Sequence, residues 1–190
     1  MAQLNAMWIA FALLGGVVFG VAPASVAAAR CVREHEKGRL HRPAVTFAQT
    51  WRSEFLGANL TLLPHLLVLA VLAWNYAAYS VSGPQASTPR LATLAGLLMV
   101  SAVGCWLPSL YVHYDVSRAR FLVTAVRLTL SNPLPSVLLL FVLSVLTYAS
   151  QRLPVLLLVI TFGAWLYVST WLGLRTFADN EARLARRADH

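Results

Sequence analysis

Charge is absent from most of this chain in long unbroken runs: no Asp, Glu, Lys or Arg occurs in 55–89, 91–114 or 128–151. Only 12% of the 190 residues are charged and 58% are hydrophobic, where a soluble domain carries about 25% charged residues. That excludes an ordinary soluble globule and leaves little room for a separate catalytic domain. Five uncharged stretches stand out, 6–29, 57–79, 91–112, 133–151 and 153–174, of 24, 23, 22, 19 and 22 residues. As helices they reach roughly 28–36 Å, enough for a hydrocarbon core of about 30 Å. They must be helices, because lipid offers backbone groups no partners and the sequence lacks the alternation of barrel strands. The expected fold is an all-α, polytopic membrane helix bundle of five transmembrane helices. It forms one domain over 1–175, with a basic tail over 176–190.

Orientation follows from the basic residues. Arg30, Arg33, Lys37, Arg39, Arg42 and Arg52 lie between segments one and two, and Arg118, Arg120 and Arg127 between three and four. Arg175, Arg183, Arg186 and Arg187 follow segment five, while Arg90 and Arg152 are alone on the other side. A split of 13 to 2 among 15 basic residues places the N-terminus outside and the C-terminus in the cytoplasm, and requires an odd number of crossings. The expected location is a cell membrane. A cleaved signal peptide over 6–29 is the rival reading; Met1–Asn5 lacks the basic side chain it needs. Trp8, Trp74, Tyr76 and Tyr79 fall near the outer boundary, and Trp106, Tyr111, Tyr114 and Trp171 near the inner one. Trp165 sits deeper and reads as packing.

Two connections carry amphipathic cytoplasmic helices. Pro43 opens the first, with Ala44, Phe47, Ala48, Trp51 and Phe55 on one face; it is expected in the headgroup layer. In the second, Ser117, Arg120, Thr124, Arg127 and Ser131 form one polar stripe. The net charge of +8 reads as attraction to anionic inner-leaflet lipids, not nucleic acid. Ser80–Arg90 reads as an external loop, and Arg152 and Pro154 mark a tight hairpin between segments four and five. Phe47, Thr50, Arg52 and Asn59 are echoed by Phe121, Thr124, Arg127 and Asn132. The echo suggests a degenerate parallel repeat of helices 1–2 and 3–4.

Chemistry is sparse. All seven acidic residues, Glu34, Glu36, Glu54, Asp115, Asp179, Glu181 and Asp189, lie outside the spans, which argues against a proton-coupled pump. Glu34-His35-Glu36 matches no strong zinc pattern, and Cys31 and Cys105 are expected as free thiols. No phosphate loop, nucleophile elbow or paired-carboxylate constellation occurs, so no catalytic, metal or cofactor residues are assigned and the chain reads as no enzyme. Asn59, His65, Asn75 and Tyr111 are the candidate polar path. His65 reads first as bonded to a neighbouring helix, and His113 as interfacial. Phe47, Trp51 and Phe55, with Gly15, Gly16 and Gly20 in helix one, are the candidate partner interface, since small residues permit close approach.

Gly20-Val21-Ala22-Pro23-Ala24-Ser25-Val26-Ala27-Ala28, the stretch Phe47 to Asn59 and Leu107-Pro108-Ser109-Leu110-Tyr111 follow in order; Asp115, Arg120 and Arg127 then lead to Pro133. In this combination the chain resembles the YesL-like family of small bacterial integral membrane proteins. The resemblance covers nearly the whole chain except 176–190. It implies a companion of carbohydrate-uptake systems, an accessory or assembly subunit bound to the permease of a sugar ABC importer, and carries no catalytic residue. The competing reading is a stand-alone small-solute transporter or channel, acting as a homo-oligomer.

Overall fold

The computed structural model describes residues 2–114, 117–153, 155–156 and 160–188, with the side chains of 118–119 and 182–188 set aside. Expectations for Asp115, Pro154, Asp189 and His190, and for the side chains of Arg118, Arg183, Arg186 and Arg187, lie outside the described residues. Among the described residues the regular elements are helices: α1 (Ala2–Leu14), α2 (Val18–Glu36), α3 (Pro43–Ser53), α4 (Phe55–Val81), α5 (Ser87–His113), α6 (Arg118–Ser131), α7 (Pro133–Arg152) and α8 (Phe162–Ala188). A short 3-10 turn, Pro84–Ala86, precedes α5. Three stretches, Phe55–Val81, Pro84–His113 and Pro133–Arg152, are long and apolar enough to cross a membrane.

The first apolar segment corrects the expectation of one helix over 6–29. It forms α1 and α2, broken at Gly15–Val17. Gly16 and Val17 both take left-handed backbone, φ 72° and 62°, which an α-helix cannot contain. The chain then turns back on itself. A Cβ on Gly20 would overlap the main chain of Ala12, and Trp8 Nε1 donates to Ser25 Oγ at 3.1 Å. These pairs lie on either side of the turn, so α1 and α2 are antiparallel. Ala22, Ala24, Ala27, Ala28 and Ala29 are each 1% exposed or less. Their small side chains let α2 pack against α1, α3, α4, α5 and α8 at once.

α4 and α5 form the long antiparallel hairpin. Tyr111 Oη donates to Glu54 at 2.8 Å, His65 lies against Gly104, and Leu72 against Gly96. The connection is tighter than the expected 80–90 loop, since α4 runs to Val81 and α5 begins at Ser87. α2 lies across the end of this hairpin where 54 meets 111. Asn59 Nδ2 donates to Phe19 O near the start of α2 at 2.9 Å, and Arg33 donates to Val112 O near its end at 2.7 Å.

The aromatic stripe of α3 packs within the chain. Phe47 is fully buried, 5.1 Å from Phe11 of α1, and Trp51 lies 5.4 Å from the same ring. The stripe packs on α1 and α2, because folding back α1 supplies an apolar partner within the chain. In α6, Phe121 and Ala125 are buried, while Ser117, Arg120, Arg127 and Ser131 are exposed.

The described part of the fifth segment belongs mostly to α8, which continues without a break to Ala188. The expected separate tail from 176 is therefore helical over its described residues. Gly163, Leu166, Thr170, Gly173 and Phe177 are buried at three- and four-residue steps, so the apolar stripe outlasts the first charged residue, Arg175. Phe177 packs 6.0 Å from Trp106 and 5.0 Å from His113. Glu181 accepts from Tyr114 at 3.1 Å and pairs with His113 at 3.3 Å.

Candidate functional site

A cavity of about 740 Å³ lies between α1, α2, α4, α5, α7 and α8. That volume falls inside the range of about 300–1,000 Å³ typical of small-molecule sites. Buried Leu62 and Leu107 line its floor. Leu13, Val17, Thr147 and Gln151 also line it and are exposed, so its mouth lies between the α1–α2 turn and α7. None of the described lining residues is Asp, Glu, Lys or Arg.

Its polar groups fall into two sets. Ser25 Oγ is engaged, accepting from Trp8 and donating to Val21 O at 2.8 Å. Ser150 and Thr161 hydrogen-bond each other at 2.7 Å. His65 and Trp165 differ. His65 is 7% exposed, and its Nε2 is buried with no partner, as is Trp165 Nε1. The same α5 that borders the cavity satisfies a second indole fully: Trp106 Nε1 donates to Ser136 Oγ at 3.1 Å. Sequence reading assigned Trp165 to packing and His65 to a neighbouring helix.

The candidate polar path is not assembled in one place. Asn59 donates to Phe19 O and Phe55 O, and Tyr111 to Glu54, at the end of the hairpin crossed by α2. His65 alone of the four lines the cavity. Asn75 lies ten residues further along α4, roughly 15 Å of helix. The candidate interface residues are likewise occupied within the chain: Gly20 meets Ala12 and Gly15 meets Gly20, while Phe47, Trp51 and Phe55 pack as a ring cluster with Phe11. Only Gly16, at the turn, stays exposed.

At the end of the bundle rich in charge, Glu34 accepts from Arg39 at 3.0 Å and pairs with Arg30 at 3.6 Å. The Arg39 hydrogen bond holds its carboxyl below the usual range, against partial burial. Burial first, then the Glu181 carboxylate, pushes the Tyr114 phenol up. Cys31 and Cys105 are buried free thiols. No cluster of three metal-ligating side chains occurs among the described residues.

Together these features define a helical protein of the membrane-spanning kind, built round an apolar cavity. Residues 1–76 match the family described as "Protein of unknown function, DUF624". The chain is 32% identical to "Uncharacterized protein YesV" of Bacillus subtilis (strain 168) over 187 residues, covering 96% of this chain and 88% of that protein. It is 27% identical to "Uncharacterized protein YesL" of the same organism over 146 residues, 73% of this chain and 66% of that one. The chain belongs to this YesL-like, DUF624 family, as its motifs had implied. No solved structure matches it.

Proposed function

We propose that this protein is a non-catalytic, multi-pass membrane protein that serves as an accessory or assembly subunit of a carbohydrate ABC importer. The observation that carries the choice over an independent transporter is the state of its polar side chains. Asn59 and Tyr111, which a solute path would need free along its walls, are bonded within the bundle. The remaining cavity is largely apolar, with no charged side chain among its described lining residues. The apolar outer faces of α4 and α7 are well exposed, with Leu60, Val71, Trp74, Val137 and Phe141 all above half exposure. Such faces suit lipid or a partner's helices. The link to carbohydrate uptake rests on the family resemblance.

The location proposed is a bacterial inner membrane, with α4, α5, α7 and α8 crossing and α2 of the α1–α2 hairpin lying across the basic end of the α4–α5 hairpin. At 13 residues, α1 is about 20 Å long and too short to cross alone. A returning hairpin moves the N-terminus to the cytoplasmic side yet leaves the side of every later loop, and the 13-to-2 split, unchanged.

The test is gentle extraction of the tagged protein from its native membrane and identification of whatever accompanies it stoichiometrically. A sugar permease with its ATPase is the expected result. Recovery of the protein alone, with solute flux in liposomes, would replace this reading with the transporter.

A further inference from the structure

A helix on the surface of a globule usually shows two faces, one buried and one wet. α6 shows three. Phe121, Ala125 and Thr129 are buried against the bundle, with Phe121 6.0 Å from the ring of Tyr111. Arg120, Arg127 and Ser131 form an exposed polar edge. Beside that edge Val123, Val126 and Leu130 recur at three- and four-residue steps and are all exposed, as is Leu122. α3, the other short amphipathic helix, exposes one large apolar side chain, Val45. α6 links the ends of α5 and α7, which belong to two of the three stretches able to span a membrane. It therefore lies where both leave the hydrocarbon.

Water would leave the apolar stripe wet, and hydrocarbon would strand the two guanidinium groups. The boundary between them satisfies both stripes at once, with long arginine side chains reaching the headgroups. The anion found at that depth is the lipid phosphate, which a guanidinium fork matches bidentately. α6 contains three arginines and no acidic residue, and among the described residues neither Arg120 nor Arg127 takes an ion pair. We propose that α6 lies in the headgroup layer on the basic side and binds anionic glycerophospholipids. Arg120 and Arg127, about 10 Å apart along the helix, each take a lipid phosphate, while Val123, Val126 and Leu130 meet the upper acyl chains. This surface is separate from the cavity and independent of the importer reading.

The experiment is native mass spectrometry of the whole protein in detergent supplied with equal phosphatidylglycerol and phosphatidylcholine, reading which lipids stay bound. Phosphatidylglycerol should be retained about fivefold or more over phosphatidylcholine, and Arg120→Gln with Arg127→Gln should remove that preference. Arg52→Gln, which removes an exposed arginine of α3, should leave it unchanged. In nanodiscs of the same two lipids, spin labels on Val126→Cys and Leu130→Cys, in a background lacking Cys31 and Cys105, should meet oxygen and be shielded from a water-soluble nickel chelate. Equal retention of both lipids, a preference that survives loss of both arginines, or an equal loss from Arg52→Gln would each overturn the proposal. So would labels at 126 and 130 open to nickel, the result expected of a face kept for a soluble protein partner.

Discussion

Segments 6–29 and 57–79 are nearly the same length, both uncharged, and each holds one proline. They fold differently. The second lies within one unbroken helix, α4, with Pro64 inside it. The first doubles back, with Pro23 buried inside α2 and the break at Gly15–Val17. Proline is therefore not the breaker here. A proline costs one backbone hydrogen bond and leaves the helical dihedrals intact, and neighbouring helices can compensate. Two successive left-handed residues reverse the chain, and the small residues beyond them let the two arms touch. Hydropathy measures whether a segment belongs in lipid; it does not measure how often the chain turns inside it.

The sharpest way to break the contrast is Gly20→Leu. Its Cβ would enter the main chain of Ala12, which no rotamer change relieves. The expected loss is about 3 kcal/mol or more, seen as a lower Tm or collapse of the monodisperse fraction in detergent. Trp8→Ala follows closely at about 3 kcal/mol, because Trp8 is 8% exposed and stacks on Phe162 at 4.1 Å. Trp8→Phe, keeping the stack and losing the bond to Ser25, should cost about 1 kcal/mol.

Exchanging chemistry at the turn itself gives opposite signs. Gly16→Val should destabilise by about 1–2 kcal/mol, since a branched side chain resists φ 72°. Val17→Gly should stabilise by about 1 kcal/mol, by relieving the same conformation at φ 62°. Thermal scans of both variants side by side check the pair; equal signs would mean that the turn is not left-handed.

The smallest effect lies at Glu34 in the last turn of α2. Its folded carboxyl pKa is depressed, first by the Arg39 hydrogen bond. Its contribution is thus present above the ordinary carboxylate range and is lost as pH falls through the depressed value. With Arg39 largely exposed, Glu34→Gln should cost below about 1 kcal/mol at pH 7. Its Tm curve should merge with that of the parent on acidification.

Much of the frame was legible in the sequence for physical reasons. Absence of charge marks α4, α5 and α7, Pro43 marks the start of α3, and the alternation of polar and apolar residues marks α6. The hairpin was not legible, because Gly15, Gly16 and Gly20 serve equally well as close-packing residues in a straight helix. Phe177 was hidden by its charged neighbours, although the steps Leu166, Thr170, Gly173, Phe177 carry a helical period past Arg175. Of the cavity, His65 was visible as an unusual residue for a span. Trp165 was not, since an indole in an apolar run looks the same whether its N–H is satisfied or free.

Sidedness of the N-terminus tests the central claim most directly. Single cysteines at Ala2, His41 and Gln85, in a background lacking Cys31 and Cys105, would be labelled on intact cells with a membrane-impermeant maleimide. A hairpin predicts labelling of Gln85→Cys alone, with Ala2→Cys and His41→Cys labelled only once the membrane is opened. Labelling of Ala2→Cys from outside together with Gln85→Cys would mean that the first segment crosses the membrane, and would contradict the account.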